Sequence, residues 1–370
     1  LPCNLLVVSA ILAFSAGGAW LWFPLLLIVC LVAVGDAVLP PDLHQGKYQH
    51  TWILNSFLFA NLPLLILANF ALLWQFSPHD LLGFGAFVDG SFGWNILENK
   101  AMTHGGHRLG AFLALGLIFG IAGTNVAHEL VHRTWSPWSM ETGRCLLAFT
   151  WDSEFAIEHV YGHHRTIGTW ADPATARRGE SFFAFFLRST LDGNKGAWRI
   201  EKNFRQKKNR PIWSLGNRVL RGWCLSLILA VLSTVLLGGT GLLLHLGLAI
   251  YGKGYLELVN YIEHYGLVRV PGTPVRFSHS WNSNHCLSSW FLFNLTRHSH
   301  HHEKGQLPFW RLEAKPDAPT LPFGYMTMIL LALAPPLYRS IMRPYLDTWD
   351  QHWATAAEKT LAQSPSTPQG

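Results

Sequence analysis

Apolar stretches of about 20 residues constrain this chain more than any other feature. A hydrocarbon core about 30 Å thick needs that length of helix, because a spanning segment must hydrogen-bond its own backbone. Leu5 to Val38 is apolar but for the break at Gly17-Gly18, and reads as two spans joined by a tight hairpin. Trp52 to Phe76 reads as a third span and Leu109 to about Ala127 as a fourth. Trp223 to about Gly266 is interrupted by Gly238-Gly239-Thr240-Gly241 and reads as a fifth and a sixth. Only 14% of residues are charged, against about 25% in an average soluble chain. The expected fold is an all-α integral membrane protein with about six transmembrane helices. Met326 to Ala334 is too short to span before Pro335-Pro336, and is expected at the interface or packed on the polar part.

Charge sets the expected orientation. Of 28 Lys and Arg, 15 lie between Glu129 and Gly222 and nine follow Gly266. By the positive-inside rule both polar segments are cytoplasmic, and six spans put both termini inside; the expected location is the bacterial inner membrane. The basic residues therefore mark topology, and no nucleic-acid partner is expected. Four segments result: residues 1–128 with the first four spans, a cytoplasmic segment 129–222, spans five and six in 223–266, and a cytoplasmic C-terminal segment 267–370. The tail from Ala356 is polar and expected to fray.

The chain holds 19 His, and the dense clusters all fall on that cytoplasmic side. The first is His128-Glu-Leu-Val-His132 at the exit of the fourth span, where spacing i, i+4 puts both rings on one helical face. The second is Glu158-His159-Val-Tyr-Gly-His163-His164-Arg165. The third is Asn260-Tyr-Ile-Glu263-His264-Tyr-Gly266, and the fourth Leu295-Thr-Arg-His298-Ser-His-His301-His302. Nine candidate ligands follow: His128, His132, His159, His163, His164, His264, His298, His301 and His302. Nine imidazoles exceed what one tetrahedral zinc uses and suit two metals with open positions; imidazole serves iron, zinc and copper alike. Neutral imidazoles leave the metal charge uncancelled, so nearby carboxylates are expected to orient the rings and balance it. Glu129, Glu158, Asp172, Glu263 and Glu303 are close in sequence.

Simpler readings compete with this one. His128-x3-His132 with Glu129 matches the zinc-protease spacing, but a protease leaves six clustered His without a role. A metal transporter needs ligands at mid-membrane, whereas these lie at the span ends and beyond. His104 and His107 fall in a predicted periplasmic loop, and His245 lies inside a span. His279 and His285 are candidates for supporting the ligands, and His300 points away from its neighbours at helical spacing. Cys3, Cys30, Cys145, Cys224 and Cys286 form no Cys-x-x-Cys, which excludes a fused rubredoxin or iron–sulfur domain.

The boxes at 128–132, 158–165 and 295–302, with Asn260 to Gly266, resemble the membrane di-iron alkane 1-monooxygenase family. Asp172-Pro-Ala174 through Ser181 and Ser280 to His285 resemble it too, over roughly Thr124 to Pro322. The resemblance implies a desaturase-like fold, with six spans under a cytoplasmic His-rich helical cap. It implies a non-haem di-iron centre on the nine His, with no catalytic residue beyond it. The implied reaction hydroxylates the terminal methyl of medium-chain n-alkanes to 1-alkanols with O2. Electrons come from rubredoxin, or a ferredoxin-type carrier, through an NAD(P)H-dependent reductase; both are expected to be separate proteins. Trp349 to Thr355 resembles the related xylene monooxygenase hydroxylase component, which acts on methyl groups of aromatic rings. The box at 295–302 and Ser280 to His285 favour the alkane branch, and Asn260 to Gly266 argues against a fatty-acid desaturase or hydroxylase.

Overall fold

The computed structural model describes residues 1–363, and its regular structure there is helical, with one isolated bridge between Asn282 and Thr320. Four helices are long and apolar enough to cross a membrane: Gly18–Val38, Thr51–Phe76, Gly105–Val131 and Arg218–His264. The helix break expected at Gly17-Gly18 is present: both glycines have positive φ, between the helix Pro2–Ala16 and the stretch from Gly18. Pro2–Ala16 has only 15 residues, about 22 Å of helix, short of a full crossing on its own. Arg218–His264 has 47 residues, about 70 Å, more than twice the hydrocarbon thickness. Gly238, at φ 59° and ψ −143°, breaks it where the glycine run predicts. At Gly241 a Cβ would lie 1.9 Å from the Ser233 carbonyl oxygen, so the break admits only glycine there.

The chain divides into two compact units. The first comprises Leu1–Leu31, Gln49–Ser153 and Leu220–Tyr255. Its outer surface is apolar: Leu227, Ile228, Val231, Leu232, Val235, Leu243 and Ile250 are exposed on one helix, as a bilayer-facing surface requires. Gly105–Val131 is the contrast, with 83% of its most apolar window buried. Polar side chains tie the spans together inside this unit. Asn4 Nδ2 donates to the Phe57 carbonyl at 2.8 Å, and Gln75 Nε2 to the Phe14 carbonyl at 2.6 Å.

The second unit comprises Val32–Tyr48, Glu154–Val219 and the chain from Leu256 on. It contains Phe182–Lys207, Pro335–His352 and several short helices. The apolar run after Gly324 forms Tyr325–Ala332, with Tyr325, Met326, Met328, Ile329 and Ala332 buried, so it packs within this unit. The expectation of a frayed tail from Ala356 is corrected as far as the described residues go, since Ala356–Gln363 is helical. Glu358 anchors it, accepting from both Arg276 and His279. Residues 364–370 lie outside the described residues.

Close helix approach in the first unit rests on small residues. A Cβ at Gly116 would lie 2.0 Å from the Tyr251 ring, and one at Gly120 2.2 Å from Tyr255. Gly120→Val is therefore expected to cost about 1–3 kcal/mol by overpacking. Thermal unfolding in detergent, followed by thiol-reactive dye, checks this. A melt that matches wild type would show that the tyrosines move aside freely.

Candidate metal centre

Each candidate ligand is set by its local helix. Gly105–Val131 widens into a π-helical stretch at Phe119–Thr124 before its last turns. Those turns carry His128 and His132, whose ring centroids lie 4.8 Å apart, as i, i+4 spacing predicts. Both are buried. Glu129 Oε1 accepts from Arg133 Nη2 at 2.7 Å, and the same guanidinium donates from Nη1 to Asn55 Oδ1.

The other seven His lie in the second unit. Residues His159–His163 form a second π-helical turn. A widened turn closes i to i+5 rather than i to i+4. It brings His164 Nε2 to 3.2 Å from His159 Nε2, a pairing that ordinary helical spacing does not give. His301 Nε2 stands 3.1 Å from His164 Nε2, so His159, His164 and His301 form one convergent set. His163, His264 and His302 form another, with donor nitrogens within 4.8 Å of one another. His298 joins it, its Nε2 3.2 Å from that of His264 and 2.9 Å from that of His302. His298, His301 and His302 come from the short helix His298–Glu303, which fulfils the expected i, i+3, i+4 face. His300 is turned elsewhere, its Nδ1 accepting the Glu313 amide at 2.8 Å.

The predicted carboxylates differ in what they touch. Asp172 is fully enclosed and sets Oδ1 3.0 Å from His163 Nδ1, while its Oδ2 accepts from Thr175 Oγ1 at 2.7 Å. Burial disfavours charge on both partners. Their mutual attraction outweighs it, lowering the Asp172 carboxyl below its ordinary range and raising His163. Glu263 sets Oε2 3.3 Å from His298 Nε2 and accepts from Tyr325 Oη at Oε1, 2.8 Å away. Glu158 lies against Gly162 and Gly196, where a Cβ would come within 2.5 and 3.3 Å of its side chain. Glu303 lies apart, half-exposed and 3.5 Å from Lys315. His279 and His285 are also placed outside both sets. His279 Nε2 is 3.0 Å from Glu358, and His285 Nδ1 is 2.9 Å from Ser283 Oγ. His245 receives Trp151 Nε1 at 2.9 Å, and the His104 and His107 rings stack 3.6 Å apart.

Tyr325 and Thr175 escaped the sequence reading. Thr175, three residues after Asp172, carries a turn signal that identifies it in retrospect; Tyr325 has none.

The donor set fits metal. Two imidazole nitrogens on one ion at about 2.0–2.1 Å stand about 2.9–3.4 Å apart. The Nε2 separations within the two sets run from 2.9 to 3.4 Å. Burial first, then neighbouring imidazoles, push His301 and His302 well below the ordinary histidine range. They are neutral near pH 7, the state in which a ring nitrogen binds metal.

Asp172 fixes which face of His163 looks inward. Asp172→Asn is expected to weaken metal retention about 10–100-fold, the usual cost of losing such a partner. Metal content after graded chelator dialysis measures it; unchanged retention would remove Asp172 from the support of the site.

A model of the fatty acid desaturase family matches residues 106–332, more than half of the chain. Alkane 1-monooxygenase 1 of Pseudomonas aeruginosa is 38% identical over 242 residues, 64% of this chain and 63% of that protein. Alkane 1-monooxygenase 2 of Alcanivorax borkumensis is 34% identical over 65% of this chain and 64% of its own length. The match therefore spans less than two thirds of either relative. The xylene/toluene monooxygenase hydroxylase component of Pseudomonas putida is 30% identical over 97% of this chain and 92% of its own length. By the family match and this near full-length relationship, the chain belongs to the fatty acid desaturase family, in the group that includes the alkane 1-monooxygenases and the xylene/toluene monooxygenase hydroxylase component.

Proposed function

We propose that the protein is a membrane-bound, non-haem di-iron monooxygenase that hydroxylates a terminal methyl group. The balanced reaction is R–CH3 + O2 + 2 e− + 2 H+ → R–CH2OH + H2O. One observation carries this reading: seven imidazoles, six of them buried and His164 half-buried, converge nitrogen to nitrogen in two sets, more donors than a single ion uses. His159, His164 and His301 would hold one iron. His163, His264, His298 and His302 would hold the other. Bound iron supplies the activation of O2 that an unactivated C–H bond demands.

The chain's own residues prepare the site for that chemistry. Asp172 holds a proton on His163 Nδ1 and leaves Nε2 facing inward. Tyr325 fixes Glu263. Burial pushes His301 and His302 well below the ordinary histidine range and keeps water out, which limits side reactions. The substrate partitions into the bilayer and approaches between the spans, presenting its methyl end. Six spans follow if Pro2–Ala16 and Gly18–Val38 form a hairpin and Arg218–His264 crosses twice. The distribution of Lys and Arg supports an inner-membrane protein with the metal centre on the cytoplasmic side. Electrons come from a separate rubredoxin or ferredoxin-type carrier with its NAD(P)H-dependent reductase.

Medium-chain n-alkanes are the first substrate class, on the strength of the histidine boxes and the alkane 1-monooxygenase relatives. Methyl groups on aromatic rings are the second, favoured by the similarity to the xylene/toluene component over 97% of the chain. Purified protein in nanodiscs, supplied with rubredoxin, reductase, NADH and O2, should bind two irons and form product from octane and toluene in competition. Dominant 1-octanol supports the alkane reading and dominant benzyl alcohol the aromatic one. One bound zinc and no product would sink both. His264→Ala is expected to lose iron and reduce product formation to background while still inserting; full activity would exclude His264 as a ligand.

A further inference from the structure

Asp172 and Glu263, both buried in the second unit, address imidazole from opposite ends. Asp172 faces the Nδ1 of His163, the nitrogen turned away from the other rings. A carboxylate there orients a ring and acts on the metal only through it. Glu263 faces the other nitrogen. Its Oε2 lies 3.3 Å from His298 Nε2, the same atom that stands 3.2 Å from His264 Nε2 and 2.9 Å from His302 Nε2. Oε2 thus occupies a corner of the convergent set, with a separation inside the range that two donors take on one ion. Glu263, His264 and His298 present their ligand atoms within 4.8 Å of one another.

We propose that Glu263 is a direct metal ligand through Oε2, so that one of the two irons has a mixed nitrogen and carboxylate set. The other carboxylate oxygen is committed: Oε1 accepts from Tyr325 Oη at 2.8 Å. Tyr325 is itself fixed, its amide donating to Ser288 Oγ at 3.0 Å. Ser288 is in turn held by buried Asp36, which accepts from its hydroxyl and from the amides of Leu287 and Ser288. The tyrosine therefore aims the carboxylate rather than following it, and one oxygen is left for metal. An anionic ligand among neutral imidazoles lowers the net charge of one site and not of the other. The two irons become chemically distinct, with the charge-compensated one favouring the higher oxidation state.

This inference rests on the proposed di-iron reading, and the test separates the two. Wild type, Glu263→Gln and Tyr325→Phe are loaded with 57Fe(II) and examined by Mössbauer spectroscopy and metal analysis, without turnover. Wild type is expected to show two ferrous doublets of equal area. In Glu263→Gln one doublet should move while the other stays, and that iron should be lost at least 10-fold more readily to chelator. Tyr325→Phe should shift the same doublet by less and keep both irons. If Glu263→Gln does not fold, wild type alone decides. Carboxylate labelled with 13C at Glu should give an iron-minus-apo infrared difference with displaced antisymmetric and symmetric stretches. Two irons with both doublets unmoved in Glu263→Gln, or no such infrared difference, overturns the ligand assignment. Failure of wild type to bind two irons overturns the di-iron reading instead.

Discussion

Bringing imidazole nitrogens face to face inside protein is the constraint on which the rest of this structure depends. Neutral Nε2 lone pairs at 2.9–3.4 Å repel unless a proton or a cation lies between them. Burying them unsatisfied costs about 1–3 kcal/mol each. A cation reverses the sign of the whole arrangement, because every lone pair then points at charge. Metal affinity and local folding are thus one free energy, and the support around the rings must hold them together before the ion arrives.

That support explains the basic residues better than topology does alone. The loop after the second box is held by arginines from distant segments. Arg269 donates to the carbonyls of Arg165 and Ile167, and Arg188 to those of Pro173 and Thr175 while pairing with Glu180. Arg178 makes a bidentate pair with Asp350, both bonds at 2.8 Å. Such paired geometry is the kind that contributes measurable stability, unlike a solvated surface pair.

Much of this was legible in the sequence, and the limits have physical causes. The breaks at Gly17-Gly18 and Gly238 followed from glycine's freedom at positive φ, a local property. The pairing of His128 with His132 followed from helical period. The pairing of His159 with His164 did not, because a π turn changes the period and leaves no composition signal. Glu129 and Glu263 looked alike in sequence, each beside a box histidine. Their side chains diverge because Arg133 lies one turn from Glu129, whereas Tyr325 reaches Glu263 from 62 residues away. Long-range partners of this kind are set by packing and are invisible to spacing. Asp36 is the same case: a carboxylate at the end of an apolar run reads as a span end, yet it caps Leu287 and Ser288.

The C-terminal segment bears on the choice between substrates. Trp349 Nε1 donates to the Ser278 carbonyl at 2.7 Å, Asp350 holds Arg178, and Glu358 holds Arg276 and His279. Burial pushes His279 down to about 4 despite that carboxylate, so it sits as a neutral strut. These contacts hold the loop after the second histidine cluster and the loop between the clusters at 260–266 and 295–302. Similarity to the xylene/toluene component across 97% of the chain therefore includes a scaffold that, on the proposed reading, serves the metal centre whatever the substrate. On that reading a methyl group bound to a ring or to a chain would present the same C–H bonds to the centre. Discrimination between them would then lie where the rest of the substrate is accommodated, where one methylene in an apolar pocket is worth about 1–3 kcal/mol.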